Sequence, residues 1–213
     1  IRDRAVLDYI DNGESLGIGS GSTVNILIEN LSKVKNKIRN VVSSSVKSTE
    51  LLEANGFEVS ELRDVGRLTK YIDGADEVNK NLQMIKGGGG ALTREKILAH
   101  NSNQFICIVD DSKKVDVLGE FPLPIEVIPL SRSSVSLELI KHGGRPVLRE
   151  NFVSDNGNLI LDVHNLQIME PIKLEQTINN IPGVVTNGIF ALDHANVLLC
   201  ANDSGVDKTD LNA

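Results

Sequence analysis

The chain has 213 residues, of which 40% are hydrophobic and 24% charged, with a formal net charge of −7 at pH 7. No apolar run reaches membrane length, and an acidic balance without basic patches argues against a general nucleic-acid binder. Aromatic residues are only 3% and Trp is absent, so Val, Ile, Leu and Ala must build the core. Cys107 and Cys200 lie inside the apolar runs FICIV and NVLLCA. Both are expected to be buried free thiols of a reducing compartment. No signal peptide opens the sequence, which starts within an expected helix.

That first helix is read over 2–10, with Val6, Leu7 and Ile10 on one side. A short strand over 15–19 leads into the loop Gly19-Ser20-Gly21-Ser22-Thr23. The next helix shows Val24, Leu27, Ile28 and Leu31, the i, i+3, i+4, i+7 spacing of a buried face. Strand, Gly-Ser-Gly loop and helix together present N–H groups and hydroxyls to a phosphate. A dinucleotide loop fits poorly, because Ser22 stands where the GxGxxG fingerprint read from Gly17 needs glycine.

A second strand is expected over 40–44, then a helix over 48–55 stopped by Gly56, and a third short strand over 58–62. The strand over 70–73 places Asp73 at its C-terminal end, the edge where ligands bind in open α/β sheets. Asp73 opens the turn Asp73-Gly74-Ala75-Asp76. Capping is the ordinary work of Asp in such turns, yet no clear helix follows Asp76.

The stretch 71–96 reads YIDGADEVNKNLQMIKGGGGALTREK. Lys86 stands directly before Gly87, Gly88, Gly89 and Gly90, between the apolar Leu82, Met84 and Ile85 and a helix over 91–100. Glycine runs are commonly flexible linkers. These flanks instead indicate a strand–loop–helix junction whose bare N–H groups form an anion site. At about 100° per residue, Ala91, Leu92, Leu98 and Ala99 share one side of the helix and Glu95 falls inside that arc; Ile97 does not. A carboxylate on an apolar face is partly desolvated, which favours a general base. Acids, one cation and a glycine-rich backbone so close together suit proton transfer on a small anion.

A strongly apolar strand over 104–111 ends at Asp110, Ser112 and Lys113, and Lys113 is expected to point toward the same edge as Asp73. Pro122, Pro124 and Pro129 mark the expected domain crossing. Beyond it come a strand over 125–128, a helix over 133–142, a strand over 146–149 and a hairpin turn at 155–158. A strand over 159–163, a helix over 172–180, a strand over 184–192 and a last apolar strand over 197–201 follow. This rhythm suggests a small α+β sandwich. The four histidines show no spacing for metal ligation, and Ser43 to Ser45 lack a His-Asp arrangement nearby in sequence.

DGADE at 73–77, KGGGGALTREK at 86–96 and GSGST at 19–23, in this order and spacing, resemble ribose-5-phosphate isomerase of type A. FICIVDDSKKVDVLGEFPLPIEVIP at 105–129 and DNGNLILDVH at 155–164 fit the same family. The resemblance implies an α/β fold: a Rossmann-like open-sheet domain, residues 1–122 plus 196–213, and a smaller ferredoxin-like α+β domain, 123–195. It implies that the strand over 197–201 returns to the first sheet. It also implies interconversion of D-ribose 5-phosphate and D-ribulose 5-phosphate in the non-oxidative pentose phosphate pathway. No metal or organic cofactor is expected, and the partner is a small sugar phosphate, with neither nucleic acid nor membrane. The protein is expected to be cytoplasmic and a homodimer or homotetramer.

On this resemblance Glu95 is the base, Lys86 and the 87–90 backbone stabilise an oxyanion, and Asp73, supported by Asp76, moves the hydroxyl proton or assists ring opening. Ser20, Gly21, Ser22, Thr23 and Lys113 hold substrate, chiefly its phosphate. Gly74, Ala75, Gly87, Gly88 and Gly89 line it. Two departures are visible: Gly90 stands where the family often has Ala, and Val46 where an acidic residue is frequent. A non-catalytic sugar-phosphate sensor would share the 20–23 loop without needing Asp73, Lys86 and Glu95 together. A coenzyme A transferase would use a glutamate as nucleophile and form a trappable thioester.

Overall fold

The strands expected at 15–19, 40–44, 70–73 and 104–111 all form in the computed structural model, which describes residues 6–211. The helix expected over 2–10 falls partly outside that range; Val6 and Leu7 are helical within it. The chain divides into two compact units. The first comprises the chain up to Gly74, Arg94–Ser112 and the chain from Ala195; the second comprises Ala75–Thr93 and Lys113–His194.

The first unit is built on a six-stranded sheet. Its strands are β1 (Glu14–Ile18), β2 (Ile38–Ser43), β3 (Leu68–Asp73), β6 (Ser102–Asp110), β12 (Val197–Asn202) and β13 (Gly205–Asp210). The spatial order is β13-β12-β6-β3-β1-β2. All neighbours are parallel except β12 and β13, which form an antiparallel hairpin. The last apolar run, 197–201, therefore does return to the first sheet, pairing Val197 with Ile106 and Cys200 with Val109. Strand order reverses between β1 and β3, and the loops leaving the carboxyl ends of such a pair frame the ligand crevice of an open α/β sheet. Those ends are Ile18 and Asp73.

Helix α1 (Ser22–Leu31) buries Val24, Leu27, Ile28 and Leu31 against Ile18, Ile72, Ile106 and Leu199 of the sheet. Helix α2 (Val46–Ala54) starts at Ser45, whose hydroxyl accepts the Ser48 amide, an ordinary N-cap. Cys107 and Cys200 are both buried, as their apolar surroundings require. One expectation needs correction here. Residues 58–62 are not a strand: Val59 makes a single bridge to Val41, and the chain turns into a short helix, α3 (Leu62–Val65). Strand β13 was not foreseen, because GVDKTD carries no apolar alternation. It is an edge strand, where charged residues discourage pairing with other chains.

The second unit holds a four-stranded antiparallel sheet of β7 (Leu123–Val127), β8 (Arg145–Leu148), β9 (Leu159–His164) and β10 (Val184–Asn187), in the order β10-β7-β9-β8. Helices α5 (Arg132–Lys141) and α6 (Pro171–Asn179) complete a βαββαβ unit, the split βαβ arrangement of ferredoxin-like folds. Its core gathers Ile125, Val127, Val135, Leu139, Leu161, Val163 and Ile178.

A small three-stranded sheet accompanies it, formed by β4 (Glu77–Val78), β5 (Met84–Ile85) and β11 (Ile189–Phe190) in the order β11-β5-β4. The single strand expected over 184–192 is thus two strands in different sheets. Gly188 makes the break, since a Cβ there would lie 2.3 Å from the Lys86 carbonyl oxygen. The segment 75–93 groups with this unit and, with 113–122, lies there rather than with the first sheet.

Candidate active site

The first unit brings two carboxyl groups and two hydroxyls to the β1/β3 crevice. The Gly19 amide donates to the Ile72 carbonyl at 2.9 Å, which ties the loop after β1 to the end of β3. Gly19 has to be glycine, because the place of a Cβ is filled by the Asp73 carboxyl, at 1.9 Å from Cγ. Asp73 is fully buried. Its Oδ1 accepts the amides of Ser20, at 3.1 Å, and Gly74, at 2.7 Å, while the Tyr71 hydroxyl donates to Oδ2.

Glu95 sits on α4 (Leu92–His100), and Leu92, Glu95, Leu98 and Ala99 of the expected face are all at least nine-tenths buried, with Ile97 exposed; Ala91, expected on that face, precedes the helix and is half-buried. The Ser20 hydroxyl donates to Glu95 Oε1 at 2.6 Å. Ser20 therefore serves both carboxylates at once, its amide on Asp73 and its hydroxyl on Glu95. The Tyr71 hydroxyl is held well above the usual phenol range, first by burial and then by the negative charges of Asp73 and Glu95. It stays a neutral donor.

No side chain caps α1, whose first residues Ser22 and Thr23 are exposed beside Gly21 at φ 100°. Uncapped first-turn amides next to two exposed hydroxyls suit a phosphate.

In the second unit the β4–β5 hairpin leads directly into Lys86 and the glycine loop. Lys86 is 3% exposed, its amide donates to the Gly188 carbonyl at 2.9 Å, and its ammonium lies 5.5 Å from the centre of the Phe190 ring. A buried cation on an aromatic face is a desolvated, well-held charge. Asp76 Oδ2 accepts the Gly88 amide at 2.8 Å. Gly87 and Gly90 have φ of 101° and 83°, a region open to glycine and strained for other residues. Side chains at either place would also collide, with Leu92 at 2.8 Å from Gly87 and with the Phe152 ring at 2.1 Å from Gly90. Gly89 is exposed in the same loop, and Ala75, directly before Asp76, is half-buried. Lys113 ends a one-turn 3-10 helix, Asp111–Lys113, half-buried.

Each candidate named from the sequence thus has a definite place. Asp73, Glu95 and Ser20 share one hydrogen-bonded cluster; Asp76 and the loop after Lys86 share another. Tyr71 was missed, although its position is legible. Residues i and i+2 of a strand point to one face, so an aromatic hydroxyl two residues before Asp73 lies beside it. Glu126 was also missed. It is fully buried on β7 and accepts from Thr93, Ser154, Asn156 and Asn158. A lone glutamate in an apolar strand gives no sequence sign of its donors. Among the described residues no group of three or more His, Cys, Asp or Glu is placed to hold a metal ion.

Comparison with known proteins gives a consistent result. A family model described as ribose 5-phosphate isomerase A (phosphoriboisomerase A) matches residues 40–205. The structure is similar to ribose 5-phosphate isomerase A from Neisseria gonorrhoeae, with 47% identity, a TM-score of 0.96 and 98% of this chain and 94% of that chain covered. The enzyme from Methanocaldococcus jannaschii gives 35% identity and a TM-score of 0.92 over 98% and 96% of the two chains. A D-ribose-5-phosphate isomerase in complex with phospho-erythronic acid gives 35% identity and a TM-score of 0.94, again over 98% and 96%.

Proposed function

This chain belongs to the ribose 5-phosphate isomerase A family, and from that premise we propose how its own residues interconvert D-ribose 5-phosphate and D-ribulose 5-phosphate. An aldose–ketose isomerisation moves one proton between carbon 1 and carbon 2 through an enediolate. One base serves both carbons, and Glu95 takes that role. The observation that supports this reading best is the buried Glu95–Ser20–Asp73 cluster. It holds two carboxylates at the crevice of the parallel sheet, each with its own donors.

Removal of the carbon-bound proton puts negative charge on the sugar oxygen. Lys86 supplies the fixed cation and the loop after it the amide donors, which act where charge develops in the transition state. Asp73, assisted by Asp76, relays the hydroxyl proton and opens the ring. Ser22, Thr23 and the first-turn amides of α1 take the phosphate, with Lys113. Ser20, whose hydroxyl is committed to Glu95, aims the base.

We also assign the protein to the non-oxidative pentose phosphate pathway, as a cytoplasmic homodimer or homotetramer. Among the described residues no helix is long and apolar enough to cross a membrane.

The deciding experiment is ribulose 5-phosphate formation from ribose 5-phosphate in EDTA, with the Glu95→Gln variant beside the parent chain. Glu95→Gln keeps shape and removes the base, so kcat should fall by roughly 10²- to 10⁴-fold while phospho-erythronic acid still binds. A variant retaining more than about a tenth of parental kcat would take Glu95 out of the role and leave Asp73 next.

A further inference from the structure

We propose that Arg149 is a positioning residue for the isomerisation, setting the Gly89 amide of the glycine loop in the orientation that receives the oxyanion. Arg149 follows β8, and its guanidinium is held in a fork by Asp162 of β9, Nε to Oδ2 at 2.9 Å and Nη2 to Oδ1 at 2.5 Å. The same guanidinium donates to the carbonyls of Gly87, at 3.3 Å, and Gly88, at 3.1 Å. It lies 5.3 Å from the centre of the Phe152 ring, and that ring fills the space a side chain on Gly90 would need. No other residue type offers five donors in a rigid plane, so the contact reads two carbonyls and a carboxylate together.

The consequence for the loop follows from peptide geometry. A trans peptide directs its N–H opposite to its C=O. The 87–88 peptide is fixed at both ends, its carbonyl on Arg149 and its N–H on Asp76. The 88–89 peptide has its carbonyl on Arg149, so the exposed Gly89 N–H is turned away from the guanidinium. Glycine has the widest conformational freedom of any residue, and four in a row would not keep one amide direction without outside restraint. Arg149 supplies that restraint from above the loop. Glu126 steadies the turn at 154–158 that follows Phe152, accepting from Ser154, Asn156 and Asn158.

The inference rests on the isomerase reading, and the test separates the two. Arg149→Met keeps packing on Phe152 and removes every donor. Arg149→Lys keeps the charge without the fork. Asp162→Asn loosens the guanidinium. Deleting a whole oxyanion donor costs about 10²- to 10³-fold in kcat; a misdirected amide should cost less, about 10- to 100-fold, with KM within about threefold.

Calorimetry with phospho-erythronic acid, which carries a carboxylate beside its phosphate, and with inorganic phosphate supplies the readout that general damage would not move. Affinity for the first should fall with kcat, and affinity for phosphate should stay. Asp162→Asn added to Arg149→Met should cost nothing further, because it acts through the arginine. A folded Arg149→Met with parental kcat, or equal loss of both ligands, overturns the proposal. If that variant does not fold, Arg149→Lys and Asp162→Asn are judged by the same two criteria. Absence of turnover in the parent chain would sink the isomerase reading instead, and the ratio of the two affinities would still decide on Arg149.

Discussion

Replacing Gly19 by Ala perturbs the proposed site by a single methyl group, and the structure gives the size of the effect. The new Cβ would lie 1.9 Å from Asp73 Cγ and 2.0 and 2.4 Å from its oxygens. Ordinary contact begins near 3.4 Å, so the carboxyl group must retreat by about 1.5 Å, the difference between 3.4 and 1.9 Å. It cannot do so and keep its bonds to the Ser20 amide and the Tyr71 hydroxyl. Misplacement by 1 Å costs about 10²-fold in a well-aligned active site, and kcat should fall at least that far. Stability should fall by about 1–3 kcal/mol, the usual cost of overpacking a filled site.

The assay is steady-state isomerisation together with urea unfolding of the same preparation. Asp73→Ala removes the atoms with which the methyl group collides, so the double variant should be no slower than Asp73→Ala alone. A Gly19→Ala protein within about threefold of parental kcat would show that the place of the Asp73 carboxylate does not matter to the reaction. A further loss in the double variant would move the effect from Asp73 to the loop backbone.

Ser20→Ala deletes the hydroxyl that Glu95 accepts; a hydrogen bond to a charged group is worth about 1.5–3 kcal/mol, so kcat/KM should drop by roughly 10- to 150-fold. The acid limb of its pH profile should move to higher pH, since the lost donor favoured the ionised carboxylate; an unmoved limb with a raised KM alone would return Ser20 to the phosphate. The raised folded pKa of Tyr71 makes it a source of stability that is complete below the unfolded value near 10 and is lost as pH rises beyond it. The Tm of the parent chain should therefore decline above about pH 10, and Tyr71→Phe should flatten that decline. Glu126→Ala strands the buried hydroxyl of Ser154 and frees the half-buried one of Thr93 to water; at about 1–3 kcal/mol for a buried unsatisfied donor, urea unfolding should report a loss of about that size, and a loss below about 1 kcal/mol would mean that water replaces the carboxylate.

Much of the architecture is legible in the chain because the signals are local. Val24, Leu27, Ile28 and Leu31 repeat at helical spacing, so α1 and its buried face follow from period alone. The face of α4 that carries Glu95 follows in the same way, down to the exposed Ile97. Gly19-Ser20-Gly21 and the run at 87–90 announce places where backbone must come close to something, though not what it meets.

What meets them is a matter of tertiary structure. Gly19 is tight because Asp73, 54 residues later, fills its space, and Gly90 because Phe152 does. Strand 184–192 looks continuous in hydrophobicity, yet Gly188 splits it between two sheets, since pairing with Pro124 and Lys86 decides where a strand belongs. Ser20 and Arg149 acquire their roles only through hydrogen bonds to distant residues. Side-chain periodicity reports which face is buried, whereas donors and acceptors are matched by distance in space, which no spacing along the chain encodes.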